Sequence, residues 1–168
     1  MVDTHRKGRL ATHDSPSGSS ATNNTLVLLD ELLRLTFAVR DLYASARHPR
    51  ADAGIRHLRP LFDTHHTQQL RLVEILVDRI GAPHDAKGVF EAVLPVGTHP
   101  AYVLRGLAPE RLLCDLLDAH ASVLRVADGT RAIGVDTSAD RHFAIGRVVL
   151  TNDLQSYAVG EQLAVLQM

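Results

Sequence analysis

The sequence predicts an all-α protein: a four-helix bundle with one long crossover that carries a short helix. Three observations predict it. Apolar residues recur at spacings of three and four in four separate segments, no stretch alternates with the period of a strand, and a long punctuated connection divides the segments into two pairs. The composition suits such a core, being 45% hydrophobic but only 4% aromatic, with no Trp, so that Leu, Val, Ile and Ala must fill it. At 168 residues the chain is one domain of ordinary size.

Residues 1–23 lack an apolar period and contain Ser15-Pro16-Ser17-Gly18-Ser19-Ser20, which predicts a disordered tail before a bundle over 24–168. The first helix is expected from about Thr25, capped by Asn24 or Thr25. Its stripe is Leu28, Leu29, Leu32, Leu35, Thr36, Val39 and Tyr43, and it fades at His48-Pro49 because a residue before proline is pushed out of the α region. The second helix occupies roughly 53–80, with Phe62, Leu72, Val73, Leu76 and Ile80 on its apolar face. Pro60 either kinks it or marks where its regular part begins. Gly81-Ala82-Pro83 supplies the stop.

Residues 84–108 form the connection, with a short helical piece from Ala86 to Leu94 and then Pro95, Gly97 and Pro100. Its length implies a crossover between parallel neighbours. The third helix opens at Ala108-Pro109-Glu110, proline near the first position and a carboxylate in the first turn. It runs to about Asp128-Gly129 through Leu112, Leu113, Leu116, Leu117, His120, Val123 and Leu124. The fourth is capped by Thr137-Ser138 and extends to about Val165.

Charge and cysteine content narrow the function classes. A net charge of −1 excludes a uniformly basic nucleic-acid binder, leaving only a local patch. Lys7 and Lys87 are the only lysines, and the many arginines favour bidentate, partly buried ion pairs, including subunit contacts. Cys114, the single cysteine, forms no internal disulfide and is expected as a buried structural thiol. No apolar run is long enough to span a bilayer and none follows the N-terminus as a signal h-region, so a soluble cytoplasmic protein is expected.

The chain from about Thr25 to Leu163 resembles the Dps family (DNA-binding proteins from starved cells), the dodecameric mini-ferritins of the ferritin-like superfamily. The resemblance rests on the order of elements, on Arg79-Ile80-Gly81-Ala82-Pro83 closing the second helix, and on Asp118-Ala119-His120 in the third. Thr137-Ser138-Ala139-Asp140 and Asp153-Leu154-Gln155-Ser156-Tyr157 in the fourth complete it. It implies a homo-oligomeric cage, a dodecamer, that stores or sequesters iron and protects DNA or the cell against oxidative stress, in the cytoplasm or on the nucleoid.

The family's inter-subunit ferroxidase motif starts with His-Trp, followed twelve residues on by His and four later by Asp. An acidic residue comes eleven beyond, then Glu four later, six before the glycine turn. Counting back from Gly81 lands on Ile75, Arg71, Pro60, Arg56 and Ala44, with Ser45 in the place of Trp. Arg71 cannot lose its proton and would repel a cation; a one-residue shift brings His57 onto one ligand position but puts Leu72 and Leu76 at the acidic pair, so no single register recovers the set and the ferroxidase site is expected to be absent. Asp136 and Asp140, at the start of the fourth helix, stand where the family's acidic residues line three-fold pores; Asp140 equally complements the helix dipole. Some members bind DNA through a Lys-rich tail, whereas here Arg6, Lys7 and Arg9 are set against Asp3 and Asp14, which predicts weak, salt-dependent, non-specific binding at most.

A metal elsewhere would need other ligands. The chain has no Glu-x-x-His; its nearest approach is Asp63-x-x-His66, with Glu74 and Asp78 further along the same flank, a pattern that also fits a solvated or subunit-contact face. His65, with Gln69, and His120 fall among apolar residues, and Glu161 shares a stripe with Phe143, Leu150 and Leu154. These are either satisfied core histidines or, as His65, His120 and Glu161 together, an intra-bundle iron site. Three functions therefore stand: a Dps-like cage subunit with little ferroxidase activity, an oxidoreductase with a relocated intra-bundle centre, or a metal-free structural protein on the same scaffold.

Overall fold

The computed structural model describes residues 17–47, 53–80, 108–132 and 138–168. They form four long helices: α1 (Ser17–Ala46), α2 (Arg59–Ile80), α3 (Pro109–Ala132) and α4 (Ala139–Leu166). A 3₁₀ segment, Ala53–Leu58, leads into α2, and there is no strand among the described residues. None of these helices is long and apolar enough to cross a membrane.

α1 packs on α2 and α3, and α4 packs on the same two, so α2 and α3 hold opposite corners of the bundle. The polar contacts fix the directions. Tyr43 meets His65 and Arg47 meets Asp63, so α1 and α2 run antiparallel. Gln69 meets Gln155 while Arg79, a few turns on, meets Asp140, so α2 and α4 are antiparallel too. The short break at 133–137 makes α3 and α4 an antiparallel pair. α2 and α3 thus point the same way, as the long connection implies, but they are not the neighbours expected: they sit diagonally, with α1 and α4 between them, and the crossover has to span the bundle. The short helix expected at Ala86 to Leu94 lies outside the described residues.

The core is aliphatic, as the composition requires. Leu29, Leu32, Val39 and Tyr43 from α1 meet Phe62, Leu72 and Leu76 from α2, Leu112, Leu113, Leu116 and Val123 from α3, and Ile145, Val148 and Val159 from α4. Burying each such side chain contributes roughly 1.5–3 kcal/mol. Thr36 sits in this stripe at no polar cost, because its hydroxyl donates to the Leu32 carbonyl 2.8 Å away.

Several boundaries differ from expectation. α1 begins at Ser17, not near Thr25, so residues 17–23 are helical: once an amphipathic helix is nucleated, each added turn needs no new nucleus, even through Gly18. Pro60, by contrast, meets one of its two expected outcomes: it does not kink α2 but marks where the regular helix begins, standing at its second residue, where a missing amide hydrogen costs nothing. α3 continues past Gly129 to Ala132, because Ala127 and Thr130 are buried and the Thr130 hydroxyl donates to the Val126 carbonyl. Cys114 is half-buried, not enclosed. On α4 the expected stripe of Phe143, Leu150 and Leu154 faces outward; the core face is Ala144, Ile145, Val148, Asn152, Gln155 and Val159.

Ser138 caps α4, its hydroxyl accepting from the Arg141 amide at 3.4 Å. That contact is long and exposed, so Ser138→Ala should lower stability by only about 0.5–1 kcal/mol, read as a small shift of the urea midpoint with unchanged helicity. A loss well beyond that range would mean the cap organises the α3–α4 connection as well.

Candidate functional site: a buried tyrosine, histidine and amide network

Each helix places a polar side chain at the level where all four meet. α1 contributes Tyr43, α2 contributes His65 and Gln69, α3 contributes His120, and α4 contributes Asn152 and Gln155; all are buried. On α2 the spacing of Phe62, His65, Gln69, Leu72 and Leu76 keeps one face turned inward, so the polar pair rides in an apolar row. The same holds for Asn152 and Gln155 between Val148 and Val159.

The hydrogen bonds assign the protons. Asn152 Nδ2 donates to the Val148 carbonyl at 2.8 Å, which turns Oδ1 toward the core as an acceptor. His120 Nδ1, 2.8 Å from that oxygen, must therefore carry hydrogen, leaving His120 Nε2 with a lone pair. Nε2 accepts from the Tyr43 hydroxyl at 2.8 Å. The Tyr43 oxygen then accepts from His65 Nδ1 at 2.9 Å. The result is a one-way chain, His65 to Tyr43 to His120 to Asn152, in which each bond polarises the next. The Tyr43 ring also meets the edge of the His65 ring, the centroids 5.1 Å apart.

Beside this chain lies a cluster of amides. Gln69 Nε2 donates to Asn152 Oδ1 at 3.2 Å and to Gln155 Oε1 at 2.8 Å. Gln155 Nε2 in turn donates to Gln68 Oε1 at 2.7 Å and to the His65 carbonyl at 3.4 Å. Both acceptors facing Gln69 are oxygens, so its nitrogen must turn to them and Oε1 is directed away. It is the one buried side-chain polar atom without a partner among the described residues.

Burial sets the electrostatics. Desolvation pushes His65 down to about 4, with nearby His120 adding to the shift. It lowers His120 as well, against an opposing hydrogen bond to Asn152. It drives the Tyr43 phenol far above its ordinary value. At neutral pH the whole network is uncharged.

These residues do not fit an iron centre. Both His120 nitrogens and His65 Nδ1 are committed to hydrogen bonds, and the other buried groups are neutral amides. Glu161, expected to complete the ligand set, is exposed on the outer face of α4 with Phe143, Leu150 and Leu154. α4 carries apolar residues on two faces, and the face that wins is the one whose Asn152 and Gln155 find partners inside. The described residues contain no group of three or more His, Cys, Asp or Glu able to hold a metal.

The remaining expected positions are dispersed. Asp140 is exposed and pairs with Arg79, its Oδ1 2.7 Å from Nη1. Asp136, and Arg6, Lys7 and Arg9 of the tail, lie outside the described residues. Ala44 and Ile75 are half-buried, while Arg56, Pro60 and Arg71 are exposed. Asp63 and His66 do come together, but around a guanidinium: Arg47 Nε is 3.4 Å from Asp63 Oδ1, and Arg47 Nη1 donates to His66 Nδ1 at 2.6 Å. Burial first, then Arg47 and Arg40, hold His66 below its ordinary value.

No family profile matches the chain, and neither a curated protein nor a solved structure matches it. Sequence reasoning had placed His65, Gln69 and His120 on core faces but missed Tyr43, Asn152 and Gln155. Tyr43 read as one more apolar stripe residue, and the two amides were hidden by the longer apolar stripe beside them.

Proposed function

We propose that this chain is a Dps-like mini-ferritin subunit that assembles into a cage, sequestering iron or shielding DNA while oxidising iron poorly or not at all. The observation that carries the reading is the Arg47 guanidinium lodged against Asp63 and His66 at the α1–α2 edge.

Its meaning depends on register. The count back from Gly81 includes Ile75, which packs on the core and cannot present a ligand outward. Moving the frame three residues toward the C-terminus places Asp63, Glu74 and Asp78 on the motif's three acidic positions, eleven and then four residues apart. All three are exposed on α2. In this frame the two histidine positions are Arg47 and Arg59. The acidic half of the motif is retained and its imidazole half is replaced by permanent cations. A guanidinium beside Asp63 neutralises the carboxylate and repels a metal ion, so the site is occupied electrostatically by the protein itself.

The test is to restore the imidazoles. The Arg47→His/Arg59→His variant should bind ferrous iron and oxidise it with oxygen or peroxide faster than the parent, while light scattering after size exclusion gives the same particle for both. Unchanged iron binding with intact assembly would sink this register, and a monomeric parent would remove the cage reading. Arg6, Lys7 and Arg9 should give DNA retention only at low salt.

The same guanidinium favours a second reading, a metal-free structural protein on this scaffold. The two part on metal content: iron accumulating inside an assembled particle supports the first, and an assembled particle that takes up none supports the second. An oxidoreductase centred on His65, His120 and Glu161 has no support from the geometry.

A further inference from the structure

A pocket of about 320 Å³ opens in the groove between α2 and α4, beside the amide cluster. That lies at the lower end of the size range for small-molecule sites. Its lining is divided in two. Arg71, Arg147, Gln68 and Thr151 supply donors, and Leu72, Ile75, Leu150 and Leu154 supply an apolar wall; no carboxylate among the described residues lines it.

The two arginines differ from the half of the twelve described arginines that pair with an acid. Arg34, Arg40, Arg47, Arg79, Arg111 and Arg131 each lie against a carboxylate. Arg71 and Arg147 face the same pocket from opposite helices without an ion pair or hydrogen-bond partner among the described residues. Gln68 accepts from Gln155, which fixes its amide and leaves its own NH₂ to donate. The wall is unusual as well, because Leu150 and Leu154 keep more than half their surface in water, 52% and 61%. Two forked cations with no counter-charge among the described residues, set beside exposed leucines, complement one kind of molecule: an anionic head on an apolar body.

We propose that the α2–α4 groove binds a small amphipathic carboxylate, its head held between Arg71 and Arg147 and its hydrocarbon body against Leu150 and Leu154. The guanidinium forks match a carboxylate two oxygens at a time, Gln68 and Thr151 add neutral donors, and burial of the leucines favours a chain over a bare ion. The proposal does not rest on the cage reading, and its binding test is separate from metal content and particle size.

The probe is octanoate, titrated into the full-length protein and followed by isothermal calorimetry and by the methyl resonances of Leu150 and Leu154. Saturable binding with Kd on the order of 1 mM or tighter is expected for a ligand of this size. Acetate, which lacks the chain, and inorganic phosphate should each bind at least roughly tenfold more weakly. Both arginine side chains are exposed, so the Arg71→Gln/Arg147→Gln variant should fold like the parent, checked by its urea midpoint, and lose octanoate by roughly tenfold or more. The proposal is overturned if octanoate does not saturate, if phosphate or acetate binds as tightly, if the double variant keeps parental affinity, or if the shifted methyls lie outside the groove.

Discussion

Tyr43→Phe should be among the most destabilising single-atom changes available in this protein. Among the described residues, the hydroxyl it removes is the one group hydrogen-bonded to both His65 and His120, accepting from His65 at 2.9 Å and donating to His120 at 2.8 Å. Phenylalanine fills the same space, so no cavity is expected. The loss is polar: a His65 N–H and a His120 lone pair are left buried without partners, each costing about 1–3 kcal/mol. A total of about 2–4 kcal/mol follows, allowing for relaxation of the rings, and for a domain of this size it should move the urea midpoint by roughly 1–2 M. Tyr157→Phe, on a ring that is 70% exposed, is the matched control and should stay within about 0.5 kcal/mol. Equal effects for the two variants would mean that the network contributes nothing beyond packing.

Acid should destabilise the bundle through its two buried histidines. His65 falls from its ordinary 6.5 to about 4 on folding, and His120 is lowered too, both chiefly by desolvation. The folded protein therefore binds fewer protons than the unfolded chain across this range, so stability rises with pH. For His65 the contribution is complete above pH 6.5 and is lost as pH falls from there toward about 4. For His65 alone the loss is on the order of 2–3 kcal/mol, with His120 acting in the same direction. His66 shares the direction but is only half-buried, so solvent discounts its part. Glu31, lowered by its hydrogen bond to Arg34, enters only below its ordinary 4.5, so melts that stop at pH 4.5 do not include it. Thermal melts between pH 7 and pH 4.5 test this. His65→Asn, whose amide can still donate to Tyr43, should flatten the curve; a parent whose midpoint does not move between pH 7 and 5 would contradict the assignment of neutral, desolvated imidazoles.

Both predictions concern positions that periodicity alone describes incompletely. The spacing of Leu29, Leu32, Val39 and Tyr43 identifies a buried stripe on α1, but a stripe has no means of distinguishing Tyr43 as a hydrogen-bond junction from Tyr43 as an apolar ring. His65, Gln69 and His120 are legible as polar residues on core faces for the same reason. Asn152 and Gln155 are not, because α4 offers two faces of similar apolarity, and Phe143, Leu150 and Leu154 make the wrong one look better. The choice falls to partners on other helices: Asn152 inside meets His120 and Gln69, and this repays burying an amide while leucines remain in water.

The sequence by itself determined the four helices, the pairing into two hairpins and the long crossover. Those depend on local spacing, on Pro60, Pro109 and Ser138 at helix starts, and on the length of one connection, all of which act within a few residues of chain. Only the tertiary structure decided what the polar positions do. It tied His65 and His120 through Tyr43, left Glu161 outside, set Arg47 against Asp63, and brought Arg71 and Arg147 to one groove. Each of these joins residues from different helices, and hydrogen bonding and charge act at contact distance, so sequence spacing within one helix carries no record of them.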